Sequence, residues 1–134
     1  MTEPFPEGCP PDGAEAMDST FYRLANRGLG VGDVAGSDSW LRPYETKNGA
    51  LYKKPEDPEA HGLSLYADLE ELGTARDLTP WMARKSVAEV TITPADGWLR
   101  NTPIELGESH HDWWTEPFDL IPSALVIEAK REAS

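Results

Sequence analysis

The stretch Val87-Ala88-Glu89-Val90-Thr91-Ile92-Thr93 constrains the fold more than any other part of the chain. Its apolar and polar residues alternate, which sends Ala88, Val90 and Ile92 to one face. A period of two marks a strand packed on a core by one side. Proline and glycine interrupt the chain so often elsewhere that no long helix can compete with such strands. From Trp40 to Ala60, Pro43, Gly49, Pro55 and Pro58 break any period.

Other strands are predicted on the same grounds. Phe21-Tyr22-Arg23-Leu24-Ala25 is aromatic and roughly alternating, and Gly28, Gly30 and Gly32 follow it in a loop. Those glycines do not have the spacing of a dinucleotide-binding fingerprint, which also needs a helix at once afterwards. Gly62-Leu63-Ser64-Leu65-Tyr66-Ala67 places Leu63 and Leu65 on one face, Ser64 and Tyr66 on the other. Trp98-Leu99-Arg100 suits a short strand. Ala124-Leu125-Val126-Ile127-Glu128-Ala129 reads as a strand apolar on both faces except at Glu128. Asp68 with Glu71 three residues later predicts a capping box, hence a helix over 68–78. Thr79-Pro80 starts a second helix, over 80–86. The expected fold class is α+β: a single domain with a central mixed or antiparallel sheet and a few short helices on one face.

Residues 1–19 hold Pro4, Pro6, Pro10 and Pro11 among acids, so an acidic, proline-rich flexible tail is expected before a single domain over 20–134. The net charge is −12, and acidic ends flank a mildly basic segment with Arg23, Arg27, Arg42, Lys47, Lys53 and Lys54. Such a field repels duplex nucleic acid, which is not expected as a partner. Cys9 stands alone, so no internal disulfide forms. No apolar run approaches the roughly 18 residues of a membrane span, and the N-terminus lacks a signal pattern. A soluble, cytoplasmic protein is the expectation.

The run His110-His111-Asp112-Trp113-Trp114 concentrates side chains that bind metals, move protons or stack on ligands, in a chain with five tryptophans. It is read as a loop over Gly107–Pro117. Neighbouring residues of an extended segment diverge, so His110 and His111 do not grip one ion together, and no metal site is expected. Trp113 and Trp114 diverge too, one packing inward and the other facing a ligand or partner.

An Arg, a Ser or Tyr, and a Glu occur in order on successive strands: Arg23, then Ser64 and Tyr66, then Glu89 or Glu128. With the Gly62–Leu78 strand-into-helix segment, this layout resembles ADP-ribosyltransferase-like domains. The resemblance implies that Arg23 holds an NAD phosphate, that Ser64 or Tyr66 supports the nicotinamide, and that a late Glu, Glu128 or Glu89, activates the attacking group. Arg23, Tyr66 and Glu128 are then the catalytic candidates. Ser64, His111 and Trp113 are the cofactor-binding ones, with NAD or a related nucleotide as the ligand. The alternative is a small acidic protein-binding module of the immunity or antitoxin type, which covers a basic surface on another protein without catalysis.

Overall fold

The alternating stretch forms the strand predicted for it, inside one antiparallel sheet. The computed structural model describes residues 11–26, 28–36, 39–46, 57–105, 107–116 and 122–130. The elements are β1 (Ser19–Ala25), β2 (Leu63–Tyr66), α1 (Leu69–Leu78), α2 (Pro80–Ala83), β3 (Ser86–Ile92), β4 (Gly97–Asn101), β5 (His110–Thr115) and β6 (Leu125–Glu128). The six strands lie in the order β4-β5-β2-β1-β3-β6, and every neighbouring pair is antiparallel. The chain is therefore α+β with a purely antiparallel sheet.

Registers fix which residues share a face, because directly opposed residues project to the same side. Phe21 faces Val90, Arg23 faces Ala88, Leu65 faces His111, and Leu63 and Leu99 flank Trp113. This face buries Phe21, Leu63, Leu65, Val90, Ile92, Leu99, Trp113 and Val126 under Ala35, Trp40 and Ala124. Trp40 meets Trp113 edge-on at 5.9 Å and donates its indole N–H to the Ala35 carbonyl at 3.2 Å. On the other face Tyr66 and Val87 pack beneath Leu72, Ala75 and Met82 of the helices.

The helix face shows how α1 begins. Asp68 accepts from the amides of Glu70 and Glu71 as an N-cap. Glu71 does not reach back to complete the predicted box: its carboxylate accepts from the amide and hydroxyl of Ser109, both at 2.8 Å. The Ser109 hydroxyl in turn accepts from the Asp68 amide at 3.2 Å. The partner across the loop replaces the local one. The second helix is a single turn, shorter than the predicted 80–86, because the chain must already be extended at Ser86 to pair with Ala25.

Two glycines are required by close approach. At Gly97 φ is +127°, and a Cβ would strike the Trp114 carbonyl. At Gly107 a Cβ would stand 2.6 Å from Cε2 of Tyr66, so the bare backbone is what lets that ring pack.

Among the described residues, both outer strands are partly covered. Glu15 exchanges two backbone hydrogen bonds with Leu99 of β4, each 2.7 Å. Against β6, Gly32 donates to Val126 and Val126 to Asp33, both at 2.9 Å, and Ala35 donates to Ala124 at 3.0 Å. Such cover shortens the edge that another strand could pair with.

Three expectations are corrected. The His–Trp run is strand β5 inside the sheet, not a loop, since both its edges are hydrogen-bonded, to β2 and β4. Of the segment read as a flexible tail, residues 1–10 lie outside the described residues, but Glu15 joins the sheet, Met17 packs on the core and β1 opens at Ser19. Finally, β6 is an outer strand, so it is not buried on both faces: Leu125 is 53% exposed.

Ile92 is fully buried. Ile92→Ala should cost about 2–5 kcal/mol of unfolding free energy in denaturant titrations; a loss under about 1 kcal/mol would mean the site collapses around the deletion or is less packed than it stands here.

Candidate functional site

Arg23 projects from the middle of β1 into the core face, where three of its five donors are already taken. Nε donates to the Ser39 carbonyl at 2.7 Å, Nη1 to that of Ser64 at 2.9 Å and Nη2 to that of Leu41 at 3.1 Å. Its plane also lies 5.0 Å from the Trp40 ring centroid, within cation–π range. Burial, and then the neighbouring Arg42 guanidinium, lower its pKa to about 10, so it stays charged near neutrality.

Ser64 and Tyr66 share a face, as the alternation predicts, but it is the face opposite to Arg23. The register pairs Tyr66 with Tyr22, the residue next to Arg23, and a strand's neighbours point to opposite sides. Arg23 and Tyr66 are thus separated by the sheet. The Tyr66 ring is buried beside His110, 5.6 Å between centroids, and burial followed by the Glu71 carboxylate raises its pKa. The Ser64 hydroxyl is exposed. Glu128, on the helix face of β6, is ion-paired with the buried Arg76 at 2.8 Å. Glu89, the other carboxylate considered, is exposed on β3.

His110 and His111 diverge across the sheet. The Nδ1 of His110 lies 2.9 Å from both the hydroxyl and the carbonyl oxygen of Thr102. Burial lowers its pKa most; the bond to Thr102 opposes that, while His111 and Arg23 add to the lowering. His111 bonds the Ser109 carbonyl through Nδ1 at 2.7 Å and meets Phe21 edge-on at 5.2 Å. Trp113 donates its indole N–H to the Asp96 carbonyl at 3.1 Å. Trp114 lies under the Arg100 guanidinium, 5.6 Å from its ring centroid. Both indoles are buried, so neither presents the ligand-facing surface that the sequence suggested. Among the described residues no group of three or more His, Cys, Asp or Glu side chains is placed to hold a metal ion.

The accessible features lie elsewhere. Val34 pairs with Leu125 at the β6 edge, and both are more than half exposed, as is Val31 three residues before Val34. Glu89, also exposed, opposes Leu125 across the strand pair and borders it. A second feature is an open cleft of about 390 Å³ lined by Asn26, Trp81, Arg84 and Lys85. Periodicity marks Trp81 as helical but not as exposed, because one turn of helix has no measurable amphipathic pattern.

Two consequences can be measured. Arg23→Ala would leave three carbonyls without their donor, and should lower stability by about 2 kcal/mol or more. Arg23→Lys should restore only part of it, because one ammonium cannot span the three positions. His110, held neutral by burial, titrates near 6.5 once unfolded. The unfolded chain then binds the proton more readily, so this stabilisation is complete above pH 6.5 and is lost as pH falls through the lower folded value. Unfolding titrations across that window should show a shallower pH slope for His110→Gln than for the wild type; equal slopes would assign the dependence to other groups. Comparison of the chain with protein-family models, with curated proteins and with solved structures finds no match.

Proposed function

We propose that this chain is an acidic protein-binding module, which docks on a basic surface of another protein and carries out no reaction itself. The observation that carries this reading is the exposed Val34–Leu125 pair at the β6 edge, with Glu89 beside it and the exposed Val31 in the same segment as Val34. An apolar centre with a charged rim is the general anatomy of a protein interface, and the sign of the rim selects the partner. The charge distribution supports the same reading. Arg23, Arg42 and Arg76 turn inward to bond carbonyls, so they add little to the surface, while most carboxylates among the described residues stay exposed.

A transferase reading of the same chain would need Arg23, Tyr66 and Glu128 to face one substrate. Arg23 is committed to three carbonyls, Tyr66 lies across the sheet, and Glu128 is paired with Arg76. Releasing Arg23 or Glu128 to bind NAD would break bonds that hold the fold, and Tyr66 would still lie on the far side of the sheet from Arg23, which favours the docking reading.

Affinity capture from a cell extract tests it. The wild-type chain should retain a basic protein that rising salt elutes, and Leu125→Glu should weaken that complex by about tenfold or more, on the order of 1.4 kcal/mol. Undiminished capture by Leu125→Glu would overturn the assignment. So would a wild-type chain that dimerises in size-exclusion chromatography through this patch, since the occupant would then be a second copy.

A further inference from the structure

We propose that the cleft between the end of β1 and α2 binds a small anion that carries a flat conjugated ring, with the chemistry of a nucleoside monophosphate or an aromatic carboxylate. The inference rests on the cleft alone and is independent of the docking patch.

Each wall is set by the fold. The register ends with Ala25 opposite Ser86, and the Ser86 hydroxyl donates to the Asn26 carbonyl at 2.8 Å, which brings Asn26 beside the chain at Lys85. Arg76 donates to the Lys85 carbonyl at 2.7 Å and fixes the backbone there. Above, Pro80 starts α2 and Met82 anchors its underside in the core. That leaves Trp81 directed outward, 58% exposed, with Arg84 three residues on and so on the same side of the turn.

Chemistry then selects the ligand. Among the described residues, the side chains of Asn26, Trp81, Arg84 and Lys85 make no hydrogen bond or ion pair. Two cations without counter-charges, in a chain of net charge −12, form a local positive site for an anion. The free indole face offers stacking to a planar ring, and the Asn26 amide offers both a donor and an acceptor to a ring edge. A volume of about 390 Å³ sits at the small end of ligand sites, which suits one ring and one anionic group.

The test uses the 134-residue chain, with calorimetry and tryptophan fluorescence, and three probes: adenosine monophosphate, indole-3-acetate and inorganic phosphate. Trp40, Trp113 and Trp114 are buried and Trp98 is half-buried, so Trp81 is the most exposed indole, and quenching that disappears in Trp81→Ala is assigned to it. Either ring-bearing anion should bind saturably, and which one binds tells the two sources apart. Trp81→Ala should weaken that binding about tenfold or more through lost stacking. Arg84→Gln and Lys85→Gln should each weaken it about fivefold, and the effect should fade in high salt. Among the described residues these side chains make no hydrogen bond or ion pair, so each variant should melt at the wild-type temperature. Absence of saturable binding of both ring anions up to about 1 mM would overturn the proposal. So would phosphate binding as tightly as they do, or full binding by Trp81→Ala.

Discussion

Three carbonyl oxygens, from Ser39, Leu41 and Ser64, converge on the Arg23 guanidinium, and the placing of the irregular segments on the sheet follows from that convergence. Loops that run over a sheet bring carbonyls with no ladder partner, and a buried carbonyl must be satisfied. A guanidinium carries five donors in a fixed fork, so one side chain can serve several such oxygens. The device recurs. Arg42 bonds the His61 carbonyl and the Thr115 hydroxyl. Arg76 bonds the carbonyls of Lys85 and Ala129 and the Glu128 carboxylate. Such bonds are directional, so they specify one arrangement of loops where apolar contact alone would accept several.

Turning these cations inward also sets the outside. What remains among the described residues is an acidic surface, broken at the β6 edge by an apolar group and at α2 by Trp81 with Arg84 and Lys85. Under the proposed readings, the net negative charge would draw a basic partner, while Arg84 and Lys85 would hold an anion at contact distance in the cleft. Salt screens charge beyond about 8–10 Å, so it should weaken the first attraction more than contacts made inside the cleft.

Sequence pattern disclosed the sheet wherever one face was polar. The strands around Arg23, Leu65, Val90 and Val126 all stand where alternation or an apolar run placed them, and Asp68 and Pro80 start the two helices. β5 escaped because both its faces are covered: His111 and Trp113 lie on one, His110 and Trp114 on the other, so polarity does not alternate along it. The candidate site was less legible. Arg23 was conspicuous as a cation on a strand, yet its partners are backbone oxygens, which have no letter in the sequence. Tyr66 and Arg23 could be placed on opposite faces only through the β1–β2 register. Trp81 and Leu125 carry no sign of exposure in their own positions; their exposure is set by the one-turn length of α2 and by the strand order that leaves β6 outermost.

Arg76 relates the two exposed features to one another. It holds the Lys85 carbonyl at the floor of the cleft, and also Glu128 and the Ala129 carbonyl where β6 ends. Leu125 begins that same strand opposite Glu89, three residues along β3 from the Ser86 end, or roughly 10 Å at the rise of a strand. The apolar group and the cleft thus stand on one stiff frame of β3, β6 and a buried guanidinium. A binding surface gains affinity when its parts are ordered before the ligand arrives, since less freedom is then lost on association. Here that ordering is achieved in folding by a side chain that faces neither surface.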